Sequence, residues 1–395
     1  MHAVVIVSRV LTVVLFGVAI ALPAIDSVWQ IDSTPRPIDT RTRIAKPSLD
    51  WAYSTIAEFP ARYTQYYEDE FGFRSGLYRM NQWFNLNAFR VTGTDDAVYG
   101  SDGWLFYRPE IETDFQPLDE RTLDQIVAKL GSYDSWLKSR GVQFVFMVVP
   151  NKSTIYPEYL PRGARSGEFP TRLDQLAERL EAMEDGVRFV DLRDVLIRAK
   201  SEERLYYKTD THWSGGGQRI SYEVQLEVLA DLFKPFSEFD PPALRASSIS
   251  TQQHFSQLHT YRGFERERIT EYEIVDPRAE ITNIWKPEST DGRTVWSVRD
   301  DLATPAAVIL HDSFFQYERL IGELQRETFS DLVSIQYVQG TSMAPRIRQT
   351  ATVVERRQPD LVILEIVERN LHMIAYWPAF EEGSPERVSE RVARL

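Results

Sequence analysis

Five short apolar runs, rich in β-branched and aromatic residues and bounded by polar turns, constrain this chain most. They are Val142–Pro150, Val187–Leu192, Ala306–Leu310, Leu332–Val338 and Leu361–Val367. Near-continuous runs of this kind suit parallel strands buried on both faces. Helical periodicity fills the intervals between them. Leu123, Ile126, Val127, Leu130, Tyr133 and Leu137 share one helix face, opened by a capping box at Thr122 and Gln125 and stopped by Gly141. Leu173, Leu176, Ala177, Leu180 and Met183 share another, and 218–233, 315–327 and 346–357 also read as helices. Strand and helix in alternation predict an α/β domain with a mostly parallel sheet.

The rhythm fails in two places. From Trp51 to about Arg90 the chain is aromatic and helical, interrupted at Phe71-Gly72-Phe73-Arg74. Residues 235–300 carry only short alternating pieces, Thr270–Val275 and Thr294–Val298, with Pro241-Pro242 before them. That segment reads as an inserted β-containing excursion over the sheet. Val98–Tyr107 is a turn followed by an aromatic strand, either a hairpin packed on the core or a ligand-contacting edge.

The N-terminus sets the compartment. Val10 to Ile25 is uncharged, with Arg9 the one charge from Ala3 to Ile25. As a helix this run is about 24 Å long, short for a hydrocarbon core of about 30 Å. It reads either as an uncleaved anchor with Arg9 at the cytoplasmic face, or as a signal peptide cut after Ala19-Ile20-Ala21. Both export the remainder. The expected boundaries are 1–25 for this element, 26–50 for a Pro- and Arg-containing linker, 51–375 for the domain and 376–395 for a charged tail. A net charge of −13 without a basic stripe argues against a nucleic-acid partner. The absence of cysteine excludes disulfides, thiol catalysis and Cys-ligated zinc.

Chemistry concentrates in two stretches. Tyr206–Gly217 sets Asp210 and His212 two positions apart, ahead of a glycine run that can open a helix. About a hundred residues later the strand Ala306–Leu310 ends at His311-Asp312-Ser313. Ligands of open α/β sheets gather beyond the carboxyl ends of strands. A strand-end serine is often only a helix cap, and a lone histidine says little. Together with Asp-x-His the serine suggests a triad. His212 would take the Ser313 proton, Asp210 would fix the imidazole, and backbone N–H groups after Ser313 would serve an oxyanion. A metal site of Asp210, His212 and His311 is the rival, with no further ligand at an interpretable spacing.

Thr209-Asp210-Thr211-His212-Trp213, followed by His311-Asp312-Ser313-Phe314, resembles the SGNH-hydrolase-like domain of the alginate O-acetyltransferase AlgJ/AlgX family. Asp102–Phe106, Val149–Lys152 with Tyr156-Pro157, and Glu365–Leu371 fit the same likeness, which covers about residues 65–375. The resemblance implies a three-layer α/β/α fold and a catalytic Asp210, His212 and Ser313. It further implies a periplasmic protein, tethered to the inner membrane by its N-terminal helix, that acetylates hydroxyls of an exopolysaccharide. A membrane-bound O-acyltransferase would supply the acetyl group, and no cofactor is needed. Phe314, Tyr317, Lys152 and Arg369 are candidates for substrate or oxyanion contact. Two features depart from ordinary SGNH enzymes. His311 stands where glycine precedes Asp-Ser, and Glu368-Arg369-Asn370 occupies the strand end where an asparagine block is usual. No appended sugar-binding domain is expected after residue 375. An acetyl esterase using the same triad, or a non-catalytic polysaccharide-binding protein, would carry the same motifs.

Overall fold

The structure, a computed structural model, describes residues 2–32, 44–48, 53–85, 88, 97–114, 116–161, 164, 170–183, 186–251, 267–285, 293–338 and 343–378. The expected tail helix at 381–395 and most of the 26–50 linker lie outside these residues. Two compact units result: Met1–Asp95 with His254–Glu265, and Asp96–Gln253 with Arg266–Leu395.

The first unit contains α1 (His2–Trp29), α2 (Tyr53–Glu70) and α3 (Arg74–Phe84). With 28 residues, α1 runs for about 42 Å, well past the apolar run that nucleates it. Its window Arg9–Asp26 is long and apolar enough to cross a membrane, a test that a signal sequence also passes. Asp26, near the end of α1, accepts hydrogen bonds from the backbone N–H groups of Asp32 (2.6 Å) and Phe73 (2.9 Å). Gly72, in the break between α2 and α3, lies so close to the Pro23 carbonyl that a Cβ would collide with it.

The second unit opens with the antiparallel pair β1 (Ala97–Tyr99) and β2 (Leu105–Tyr107). Asp102 and Gly103 make the turn between them at φ 52° and 78°. Trp104 and Phe106 are buried, so this is a hairpin packed on the core. Next come α4 (Arg108–Asp114), α5 (Glu120–Lys138), β3 (Gln143–Val149), α6 (Lys152–Ile155), α7 (Arg172–Glu181) and β4 (Arg188–Asp191). The chain continues through α8 (Arg193–Ala199), α9 (Gly215–Leu232), β5 (Leu244–Thr251), β6 (Glu267–Ile274), β7 (Glu280–Trp285) and β8 (Thr294–Val298). It closes with β9 (Ala307–His311), α10 (Leu320–Thr328), β10 (Asp331–Gln336), α11 (Met343–Arg357) and β11 (Leu361–Val367).

The central sheet has the order β4-β3-β11-β9-β10-β8-β7. The first five strands are parallel, and β8 and β7 add antiparallel at the edge. Side-chain alternation splits each central strand between two cores. Phe144, Phe146 and Val148 of β3 join apolar residues of α5, α7 and α11, among them Ile126, Leu176 and Ile347. Val145, Met147 and Val149 join Leu196, Tyr222 and Leu324 from α8, α9 and α10 on the other face. The fold is the expected three-layer α/β/α arrangement.

Three sequence expectations need correction. The cap of α5 is Asp119, whose carboxylate accepts from Thr122 N at 2.9 Å, so the helix starts ahead of the Thr122–Gln125 pair. An aspartate one turn earlier outcompetes the threonine because it carries a full charge at the positive helix end. Residues 235–300 are only partly an excursion. β5 and β6 form a separate pair, but β7 and β8 extend the main sheet. Finally, the helix after Ser313 begins at Leu320, and Ser313–Phe315 is a single 3₁₀ turn.

Candidate active site

β3, β9 and β11 are neighbours in the sheet centre, and their carboxyl ends deliver Asn151-Lys152, Asp312-Ser313 and Glu368-Arg369 to one rim. The loop from Tyr206 to Trp213, closed by a bridge between those two residues, brings Asp210 and His212. Trp213 Nε1 donates to the Phe314 carbonyl at 3.1 Å, tying this loop to the serine turn. Gly217 permits the tight approach of α9 to that loop: a Cβ there would stand 2.6 Å from Leu205 O and 2.9 Å from Trp213 Cβ.

The three expected residues meet. His212 Nε2 lies 2.8 Å from Ser313 Oγ, and His212 Nδ1 lies 2.7 Å from Asp210 Oδ1, which also accepts the His212 backbone N–H at 3.0 Å. Burial works against ionised Asp210, but the His212 charge and hydrogen bonds, with Arg319, outweigh it and hold the carboxyl below its usual range. Burial first, then the Arg319 cation, push His212 below the ordinary imidazole value against the pull of Asp210. The resting pair is therefore a carboxylate beside a neutral imidazole, the state in which Nε2 can accept a proton.

Asp312 builds the serine turn. Its Oδ1 accepts Phe314 N at 2.8 Å and its Oδ2 accepts Val367 N at 3.0 Å, stapling β9 to β11. Its own N–H donates to Glu365 Oε2 at 3.0 Å. Burial and then the Asp312 charge drive Glu365 well above the carboxylate range. His311 turns away from the site, its Nε2 2.8 Å from Ser334 Oγ and its Nδ1 2.7 Å from Asp312 O. Burial lowers it to about 4. Among the described residues no cluster of His, Asp and Glu could hold a metal ion, and His311 does not join Asp210 and His212.

The four candidates for substrate contact separate. The Phe314 N–H is occupied by Asp312, while its ring lies 4.9 Å from the His212 ring. Tyr317 Oη is engaged by Arg293 at 2.7 Å and Glu318 at 2.8 Å. Lys152 is completely buried, its ammonium donating to the backbone carbonyls of Asp210 (2.6 Å), Tyr207 (3.2 Å), Lys208 (3.3 Å) and Leu105. Its position after a strand looks the same in sequence as that of a ligand-facing lysine, but the side chain turns inward. Arg369 is the candidate left with unused donors. It is 6% exposed, and its Nε and Nη1 have no hydrogen-bond acceptor among the described residues. Its guanidinium stacks 5.4 Å from the Phe314 ring and 5.3 Å from the Tyr107 ring, with Glu110 Oε2 3.9 Å away.

Sequence reasoning missed Glu110, Arg319 and Glu267. Glu110 is fully buried beside Thr211 Oγ1 at 3.2 Å, and burial raises it despite Arg369 and Lys152. Glu110 lies on α4, Glu267 opens β6 and Arg319 sits in the extended turn ahead of α10, and no motif marks any of them.

A parallel sheet between two helix layers, with a serine on the turn after a central strand and a histidine–aspartate pair on a neighbouring loop, defines an SGNH-type hydrolase-like fold. Residues 97–368 match the family described as "SGNH hydrolase-like domain, acetyltransferase AlgX", and the chain belongs to that family. Curated relatives are named as probable alginate O-acetylases AlgJ. That of Pseudomonas aeruginosa is 30% identical over 146 residues, 35% of this chain and 36% of the relative. That of Pseudomonas putida is 23% identical over 288 residues, 71% of each. The first of these alignments thus spans little more than a third of the relative's length. Among solved structures, Bacillus cereus PatB1 is similar in fold, with a TM-score of 0.50 and 13% identity over 70% of this chain and 97% of that one.

Proposed function

We propose that this chain is a polysaccharide O-acetyltransferase that works through an acetyl ester on Ser313. The observation that carries the reading is the unbroken hydrogen-bonded run from Asp210 through His212 to Ser313, at 2.7 and 2.8 Å. Family membership and the names of the curated relatives supply the reaction class. In the first half-reaction Ser313 Oγ attacks the donor's acetyl carbonyl while His212 Nε2 takes its proton. The tetrahedral intermediate collapses, and the leaving oxygen departs with the proton from His212. In the second, an acceptor hydroxyl gives its proton to His212 and attacks the acetyl-serine. Collapse then transfers the acetyl group and returns the proton to Ser313. Arg369 is assigned to the oxyanion or to the substrate oxygen beside it, because a buried guanidinium with unused N–H groups suits a developing negative charge.

The acceptor on this reading is an exopolysaccharide, and the donor a membrane-bound O-acyltransferase. The protein works in the periplasm, held to the inner membrane by α1. Intact mass spectrometry after incubation with a chromogenic acetyl ester tests the mechanism. Wild type gains one acetyl group and Ser313→Ala gains none. An equal adduct on both, or none on either, sinks the serine ester. Product analysis with and without acceptor glycan separates transfer from hydrolysis.

A further inference from the structure

The loop that carries Asp210 and His212 is held by its peptide groups, and ions hold those groups from two sides. On one side the Glu267 carboxylate accepts the N–H of Lys208 at 2.9 Å, the N–H of Thr209 at 3.2 Å and the Thr209 hydroxyl at 2.8 Å. On the other, three carbonyls of the same loop, those of Tyr207, Lys208 and Asp210, converge on the Lys152 ammonium. The Leu105 carbonyl completes the cage, and Leu105 N in turn donates to Lys208 O at 2.8 Å. Arg204 Nη2, 2.9 Å from Glu267 Oε2, steadies the anionic pole.

We propose that Lys152 and Glu267 act as a two-pole clamp that orients the catalytic loop, and are positioning residues for the triad. The proposal rests on the reading of Asp210, His212 and Ser313 as that triad. The chemistry of the two poles explains their charge. Three carbonyls turned to one side form a negative pole, and an ammonium brings three N–H donors to it, whereas a neutral amine brings two and a lone pair. A carboxylate likewise offers the several lone pairs that two N–H groups and a hydroxyl need at once. Lys152 grips the carbonyl of Asp210 itself, so a shift of the ammonium moves the carboxylate that orients His212. Glu267 is the first residue of β6, which gives the β5–β6 insertion a role: it supplies the anionic pole.

The cation is held against a cost. Burial lowers Lys152 to about 8, opposed by Glu110, Asp210 and Glu267 and assisted by Arg204. Loss of its proton therefore falls within reach of an alkaline pH profile.

The test uses the full chain with Lys152→Met, Lys152→Ala, Glu267→Gln and the Lys152→Met/Glu267→Gln pair, read by turnover of a chromogenic acetyl ester. Ground-state binding is not the clamp's task, so kcat falls and KM stays within about twofold. A displacement of about 1 Å at a reacting group can cost about a hundredfold, which is the fall expected for Lys152→Met. Glu267→Gln loses less, about tenfold, and the pair is no worse than Lys152→Met, because one displaced loop cannot be displaced twice. The alkaline limb of wild type is absent from Lys152→Met. Methylammonium restores part of the kcat of Lys152→Ala, and tetramethylammonium, which has no N–H, does not. Folded variants that turn over at the wild-type rate, losses that multiply in the pair, or losses that track only the fraction unfolded overturn the clamp. Full turnover by Ser313→Ala instead overturns the triad reading, and the clamp with it.

Discussion

Asp210→Asn keeps the size of the side chain, and its remaining oxygen can still accept the His212 backbone N–H, 3.0 Å away in the wild type. What it removes is charge. On the proposed mechanism, attack by Ser313 turns the His212 ring into an imidazolium, with its Nδ1 2.7 Å from Asp210 Oδ1 and both groups shielded from water. Unit charges with centres about 4 Å apart at an effective dielectric of about 20 attract by about 4 kcal/mol. At about 1.4 kcal/mol per decade that is close to a thousandfold in rate. In the flipped orientation the amide gives up that backbone N–H and donates to Nδ1 instead, which places the ring proton on Nε2, where it faces Ser313 and blocks proton uptake. The expected outcome is a fall in kcat of about a thousandfold for a chromogenic acetyl ester, with an unchanged unfolding midpoint. Acetylation of Ser313, followed by intact mass, slows in parallel. A fall of less than tenfold in folded protein refutes the electrostatic role, since a carboxylate that serves only as a spacer is replaced well by its amide.

Further outcomes follow from the groups around the site. Burial and then Arg319 hold His212 low, so the acid limb of kcat/KM lies below the ordinary histidine value of about 6.5. Arg319→Gln removes a cation that opposes protonation, His212 rises, and the limb moves to higher pH, as a pH–rate profile will read. Glu365 holds a proton in the folded state that the unfolded chain releases above the ordinary carboxylate value. Stability therefore declines as pH rises above that value in wild type, and less so in Glu365→Gln, as urea titrations at several pH values would record. Glu365→Leu strips the acceptor from Asp312 N–H and costs about 1–3 kcal/mol at any pH in the neutral range.

The candidate triad is legible in the sequence because its signals are local. A buried strand that breaks at Asp-Ser and an Asp-x-His before a glycine run each leave a mark within a few residues. Burial and direction leave none. Lys152 and Arg369 both follow buried strands, yet one turns inward to a carbonyl cage and the other keeps unused donors. The difference depends on Leu105 and Asp210 in one case and on Phe314 and Tyr107 in the other, residues 47 or more positions away that only the fold brings near. A helix directly after Ser313 is the wrong expectation because Phe314 and Phe315 look like the first apolar positions of a helix face. Both are buried instead in the turn that presents the serine. Strand existence is legible from composition. Strand order is not, because nothing in Leu361–Val367 announces that it inserts between two strands made earlier.

That insertion governs when the candidate site can first assemble. β11 is the last strand among the described residues, yet it lies between β3 and β9, in register with both. Until it arrives β3 and β9 have no common neighbour, and the sheet is two separate halves. The turn bearing Ser313 waits on it as well, since Asp312 is held by Val367 N and Glu365. A growing chain that already contains Asp210, His212 and Ser313 therefore still lacks the assembled candidate site, with apolar edges of β3 and β9 uncovered. The candidate site assembles only once β11 has been made, with β11 acting as the keystone of the sheet. Truncation just ahead of Leu361 removes none of Asp210, His212 and Ser313 and still dismantles the candidate site.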